Sequence, residues 1–235
     1  MASTRLPGKV LADIHGQPAI ARLVARLRRA RLVDDIVLAT TSGATDDPLV
    51  EWAERAGVAV FRGSEHDVLR RVTDAQRAMR SDVVVEVTGD CPLLDPDVID
   101  LGVEQFLRND CDVVTNVARP AFPQGVDVQV FRRESLERVE RDVADPAVRE
   151  HVSLYFYEHP DEFRVLHMQA PEGYHAPERR FQLDFSEDLA FIRAVYGAFA
   201  SRADGVFGTP EVLALLASRP DLAAINAHCA EKPVR

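Results

Sequence analysis

The sequence predicts an α/β fold, a mostly parallel sheet with helices on both faces, organised as one domain over residues 1–235. Three observations carry this expectation. Short apolar runs alternate with amphipathic helical patterns through the first two-thirds of the chain. The 235 residues are 46% hydrophobic, enough for one sizeable core with a small appendage. No repeat or low-complexity linker divides them. Aromatic residues make up 7%, so the core must rest on Val, Leu, Ile and Ala.

Taken in order, residues 18–32 place Ile20, Leu23, Val24 and Leu27 at helical spacing, with Arg22, Arg26 and Arg29 elsewhere on the helix surface. DIVLAT (35–40) reads as a buried strand. Asp47-Pro48 opens a helix that Gly57 ends, and VAVFR (58–62) is the next strand. Residues 67–80 carry Val68, Leu69, Val72, Ala75 and Met79 on one helical side. DVVVEVT (82–88) is the strongest strand pattern. A helix over about 96–108 and a strand DVVT (112–115) come next. In such sheets ligands sit beyond the carboxyl ends of the strands, which directs attention to the loop after each strand.

Residues 118–170 read differently. ARPAFPQG (118–125) is a Pro-rich loop, VDVQVF (126–131) alternates like an antiparallel strand, and two helical stretches flank Asp145-Pro146. The expectation is an excursion out of the sheet, serving as substrate lid and subunit contact. Phe122, Pro123, Phe131, Tyr155, Phe156 and Tyr157 gather there, as at an interface or in a small local core. FRVLHMQ (163–169) resumes as a strand. FQL (181–183) then returns to the sheet before a helix with Ser186 as N-cap and Glu187 and Asp188 in its first turn.

The net charge of −10 disfavours a nucleic-acid partner, whose phosphates demand many cations. Three separated cysteines argue against a disulfide framework and for reduced cytosol. No stretch approaches the ~20 apolar residues of a membrane span, and MASTRLPGK is no signal peptide. The expectation is a soluble cytoplasmic protein without a membrane partner.

Three clusters carry candidate chemistry. Asp90 in TGDCPLLDP comes after the strongest strand, with Gly89 and Pro92 shaping the loop. Asp184 directly succeeds FQL. Two acids at neighbouring strand ends suit magnesium held against phosphates; the alternative is that both are turn and cap residues. STRLPGK (3–9) offers Arg5, Lys9, hydroxyls and a glycine that could cradle a polyphosphate, although it lacks Walker spacing; alone it would read as a basic terminus. FRGSEHDVLRR (61–71) puts Arg62, Ser64 and Arg71 around one corner, where solvated arginines are the commoner reading.

In this order the clusters resemble the spore-coat-polysaccharide type of cytidylyltransferase, related to the synthetases that make CMP-activated acidic sugars. The matching stretches also include DDIVLATT (34–41), FPQGVDVQVF (122–131), REHVSLY (149–155), FQLDFSEDLAFI (181–192) and INAHCAEKP (225–233), so the resemblance covers nearly the whole chain. It implies a Rossmann-like, glycosyltransferase-A-like nucleotidyltransferase fold, a homodimer, and transfer of CMP from CTP to a sugar-like or acidic small molecule with release of pyrophosphate. Carried onto this sequence, it implies that Arg5 and Lys9, with Ser3, bind the triphosphate and that Arg62, Gly63, Ser64, Arg71, Thr88 and Gly89 meet the nucleotide. Asp90 and Asp184 would hold Mg2+, with Arg5, Lys9 and Asp90 the catalytic groups. Gln124, Asp127, Gln129, Arg149 and His151 would line the acceptor site.

The chain departs from that pattern. An apolar strand and an Ala-Arg pair are usual ahead of STRLPGK, so this chain is expected to bind CTP poorly until such a segment is supplied. Glu86 stands where Arg is frequent, Gln129 where an acid is common, and Phe185 where Pro or Tyr is usual. In-line attack on an α-phosphorus needs positioning and charge neutralisation rather than a protein nucleophile. Neither a G-x-S-x-G elbow nor H-x-x-x-H spacing occurs. The rival readings are a transferase of another nucleoside triphosphate and an inactive binding or scaffold protein.

Overall fold

A computed structural model describes residues 5–202 and 206–230. A 3-10 turn, Lys9–Leu11, leads into a small hairpin of β1 (Asp13–Ile14) and β2 (Gln17–Pro18). Helix α1 (Ala19–Leu27) buries Ile20, Leu23, Val24 and Leu27, as their spacing predicts. Arg26 is buried as well, contrary to its expected surface position. Its guanidinium lies over the Phe207 ring and donates two bonds to the Phe207 carbonyl.

Strands β3 (Val37–Thr41) and β4 (Ala59–Gly63) pair in parallel, connected by α2 (Asp47–Arg55). Gly57 beyond α2 takes φ 64°, the left-handed turn that favours glycine. Asp67 caps α3 (Val68–Met79) by accepting from the Arg70 N–H. Then come β5 (Val83–Glu86), α4 (Pro96–Arg108) capped by Asp95, and β6 (Val113–Thr115). The later elements are β7 (Gln129–Arg132), α5 (Arg133–Asp142), α6 (Pro146–Glu150), α7 (Leu154–Glu158) and β8 (Val165–His167). Helices α8 (Ser186–Ala198), α9 (Thr209–Ser218) and α10 (Pro220–Ala223) close the chain.

The sheet is mixed rather than mostly parallel. A four-stranded sheet has the order β5-β7-β6-β8, in which β7 is antiparallel to both neighbours and β6 is parallel to β8. The 118–170 segment therefore does not leave the sheet: its β7 is inserted between β5 and β6. Helices α5 to α7 then cover one face of that insertion, enclosing Phe131, Leu136, Val148, Phe156 and Phe163 in a second apolar core. Phe122, Phe131 and Phe156 are buried within their own chain, so for them the local-core reading holds.

Two further expectations are corrected. FQL forms no strand. It is tied instead by the Phe181 N–H to the Gln124 carbonyl at 2.6 Å and by the Leu183 N–H to the Asp90 carbonyl at 2.8 Å, beside an isolated Gln124–Arg180 bridge. The N-cap of α8 is Phe185, not Ser186, and Asp188 reaches back to accept from the Phe185 N–H at 3.0 Å.

Between the β3–β4 pair and β5 lies a cavity of about 620 Å³. Consecutive residues of both strands line it, Val37 to Ala39 on one side and Val83 to Glu86 on the other. Because successive side chains point to opposite faces, such lining means that the cavity meets both strands edge-on. Among the described residues no strand pairs with either edge.

Candidate active site

The site forms where the loop after β5 meets the segment before α8. Asp90 is carried on a turn closed by the Cys91 N–H to the Thr88 carbonyl. The backbone tie from Leu183 to the Asp90 carbonyl holds Asp184 beside it. Lys9 bridges the two carboxylates, its Nζ donating to Asp90 Oδ2 at 2.5 Å and to Asp184 Oδ1 at 2.6 Å. Arg5 pairs with Asp184 Oδ2 at 3.0 Å and lies over the Phe185 ring. The structure thus joins Arg5, Lys9, Asp90 and Asp184, drawn from both ends of the sequence. Ser3 lies outside the described residues.

The electrostatics stem from this contact. Burial alone would lower the Lys9 pKa, but the Asp90 charge and the bonds to both carboxylates outweigh it and raise it. Burial would raise Asp184, yet its bonds to Lys9 and Arg5 hold it below the ordinary carboxylate value. A buried scaffold supports the pair. Arg180 donates to Asp184 Oδ2, to Gln124 Oε1 and to both oxygens of Asp188. Asn226 donates to Asp188 as well, and Gln182 donates to Asp90 Oδ2 at 3.4 Å. Sequence reasoning missed Arg180, Gln182 and Asn226; Asp188 is the first-turn acid of α8 that the sequence marks, and it also holds Arg180. The usable signal was Arg180, Asp184 and Asp188 at four-residue intervals.

The remaining candidates divide. Thr88, Gly89 and Arg71 line the cavity between β3 and β5. Arg62 instead donates to the carbonyls of Thr41 and Gly43 and pairs with Asp47. Ser64 accepts from the Asp67 N–H, and Arg71 donates to the carbonyls of Ala39 and Ser64. Gly63 is needed for packing, because a Cβ there would sit 2.9 Å from Arg71 Cγ. Gln124 joins the Arg180 network, and Asp127 accepts from the Gly125 N–H. Gln129 contacts Glu86 and Tyr157. Arg149 is bonded twice to Asp67 and pairs with Glu140, fastening α6 to α3; His151 is the C-cap of α6.

The fold places the protein among nucleotidyltransferases. More narrowly, the chain belongs to the cytidylyltransferase family, whose model matches residues 1–208. It is 34% identical over 228 residues to the spore coat polysaccharide biosynthesis protein SpsF of Bacillus subtilis, covering 95% of this chain and 93% of that protein. It is 30% identical to a 3-deoxy-manno-octulosonate cytidylyltransferase of Anaeromyxobacter dehalogenans, covering 84% and 87% of the two chains. The solved structure of a cytidylyltransferase from Leptospira borgpetersenii matches with a TM-score of 0.90 and 28% identity, over 99% of this chain and 95% of that one. The protein is accordingly an enzyme of the cytidylyltransferase type.

Proposed function

We propose that this enzyme transfers CMP from CTP to a sugar-like or acidic small-molecule acceptor, releasing pyrophosphate, in glycan or surface-polysaccharide biosynthesis. The observation that carries the proposal is the convergence of two cations and two carboxylates at one point, Lys9 and Arg5 on Asp90 and Asp184. The names of the relatives support the nucleotide and the sugar acceptor. In the reaction an acceptor oxygen bonds to the α-phosphorus and the bridging P–O bond breaks. The electron pair leaves with pyrophosphate, and the acceptor proton goes to water. No protein nucleophile is required. Cys91, the nearest thiol, is buried and pushed well above its ordinary pKa by that burial.

Magnesium fits the donor set. Asp90 Oδ2 and Asp184 Oδ1 converge closely enough for one ammonium to reach both. Among the described residues no larger cluster of potential ligands occurs. Magnesium commonly takes one or two carboxylates and leaves its other positions to phosphates and water. Held there, it supplies neutralisation of the triphosphate charge. Lys9 and Arg5 then bind phosphate oxygens in place of the carboxylates. Thr88, Gly89 and Arg71 belong to the nucleotide side in this reading, and Gln124, Asp127 and Gln129 to the acceptor side.

A homodimer and a cytoplasmic setting complete the proposal. Among the described residues no helix is long and apolar enough to cross a membrane. Calorimetry with CTP, UTP, GTP and ATP plus magnesium tests the nucleotide, with CTP expected to bind tightest. Pyrophosphate release over an acceptor panel tests the transfer. Preference for another triphosphate overturns the CTP assignment, and binding without release with every acceptor favours a scaffold role. Light scattering checks the dimer, for which a mass near 26.1 kDa would count against it.

A further inference from the structure

One face of the four-stranded sheet changes character within a single step along the strands. Val84, Phe131, Val113 and Val165 are register partners across β5, β7, β6 and β8 and share that face. They belong to the second core. Two residues further along β5, toward Asp90, the same face carries Glu86, Gln129, Thr115 and His167 in register. An apolar rung thus gives way at once to a fully polar one. Buried polar side chains are costly unless partnered, so packing alone does not call for such a row.

The row is ordered by its own bonds. Tyr157 of α7 donates to Gln129 Oε1 at 2.6 Å and shares a bond with Thr115 Oγ1 at 2.8 Å. That fixes the Gln129 amide to donate to Glu86 Oε2 at 2.7 Å. Thr115 is fully buried, while Glu86, Gln129, Tyr157 and His167 stay partly exposed, like the floor of an open site. His167 Nδ1 is buried with no hydrogen-bond partner. The acceptor capacity left at the β5 end is that of the Glu86 carboxylate, whose Oε2 takes the Gln129 bond.

Carboxyl groups gather at the β5 end. Burial, together with the nearby charges of Asp127 and Asp90, pushes the Glu86 carboxyl up to about 7. The cations nearest Asp90 are committed, Lys9 to Asp90 and Asp184, and Arg5 to Asp184. Arg119 bears on the His167 end from an exposed position.

We propose that this polar rung is the floor of the acceptor subsite, and that it selects a polyhydroxylated acceptor carrying a protonated amine over one carrying a carboxylate. The ammonium meets Glu86 and Asp127, and the hydroxyls lie along the polar rung. The proposal rests on the transferase reading above, which it narrows from acidic or sugar-like acceptors to amino sugars.

The test is direct binding by ligand-observed NMR on the full chain, with three probes: glucosamine, N-acetylglucosamine and 3-deoxy-manno-octulosonate. Glucosamine is expected to bind best. Glu86→Gln weakens it about tenfold, the size of one charge-assisted contact, and leaves N-acetylglucosamine unchanged. The thermal midpoint of that variant is expected not to fall, which separates lost recognition from lost fold. Tightest binding of the acidic sugar, an unchanged ratio of the two hexosamines in Glu86→Gln, or no glucosamine binding each overturns the proposal. CTP affinity in the same samples reports separately on the transferase reading: CTP binding without amine preference sinks only the acceptor assignment.

Discussion

Lys9 holds the place that a bound cation would take if Asp90 and Asp184 hold magnesium as proposed. Its ammonium satisfies Asp90 and Asp184 together, so two carboxylates can converge without a metal and still avoid an unpaired buried charge. Asp90 is the cleaner position for a test, because Asp184 also anchors the buried Arg180. Asp90→Asn is expected to keep its fold by circular dichroism and to lose about 10²–10³ in turnover, the cost of removing a charge aimed at the transition state. Near-wild-type pyrophosphate release at saturating magnesium would sink the metal-ligand role. Glu86 gives a pH prediction. Its carboxyl is raised from 4.5 to about 7 in the folded protein, so the folded state holds the proton more firmly than the unfolded one. Stability then falls as pH rises through that interval. The urea midpoint of Glu86→Gln should gain on wild type between about pH 5 and pH 8, and a constant difference would contradict the raised value.

At the scale of elements, the second core is what fixes α5, α6 and α7 over the sheet. Phe156 is fully buried there, 5.3 Å from the Phe131 ring and 4.7 Å from the Phe163 ring between centroids. Phe156→Ala should cost about 3–5 kcal/mol by chemical denaturation, the usual penalty for a large cavity, and a loss below about 1 kcal/mol would mean that the core collapses around the gap. Helices α2, α3, α4 and α6 were legible in the sequence because their ends carry local chemistry: Pro48, Asp67, Pro96 and Asp145 each mark a start within a residue or two, whereas α9 and α10 were not read. The insertion of β7 was not legible. Its alternation revealed an antiparallel strand but not its neighbours, since pairing with β5 and β6 is decided by contacts distant in sequence. FQL misled because its apolar pair Phe181 and Leu183 is buried without any sheet pairing. The four residues that converge, Arg5, Lys9, Asp90 and Asp184, were singled out in the sequence through motif order. Arg180 was not, because an arginine is rarely buried unless paired, and its partners Asp184 and Asp188 lie in a segment that only the fold folds back on itself.

At the scale of the whole molecule, the two sheets are separated by a gap whose walls are strand edges. Val37 to Ala39 and Val83 to Glu86 line a cavity of about 620 Å³ along edges that no strand among the described residues pairs with, and Ile20, Leu23 and Val24 of α1 line it too. A parallel strand supplied there would pair on both sides and bury an apolar face against α1. Arg5 stands at the carboxylate pair, so a strand running through the gap and continuing into residues 1–4 would deliver Arg5 and Lys9 to the phosphates from a fixed direction. Open edges of this kind also invite association with other chains. Fusing an apolar strand of about six residues ahead of Met1, long enough to match the neighbouring strands, is therefore expected to raise the thermal midpoint, reduce aggregation and tighten CTP binding by at least about tenfold. Calorimetry and thermal melts on both forms decide it. A polar, proline-containing extension of equal length is the control, because it cannot pair with either edge. Equal CTP affinity in all three forms would show that the gap is indifferent to a strand and that Arg5 and Lys9 are already fixed by Asp90 and Asp184.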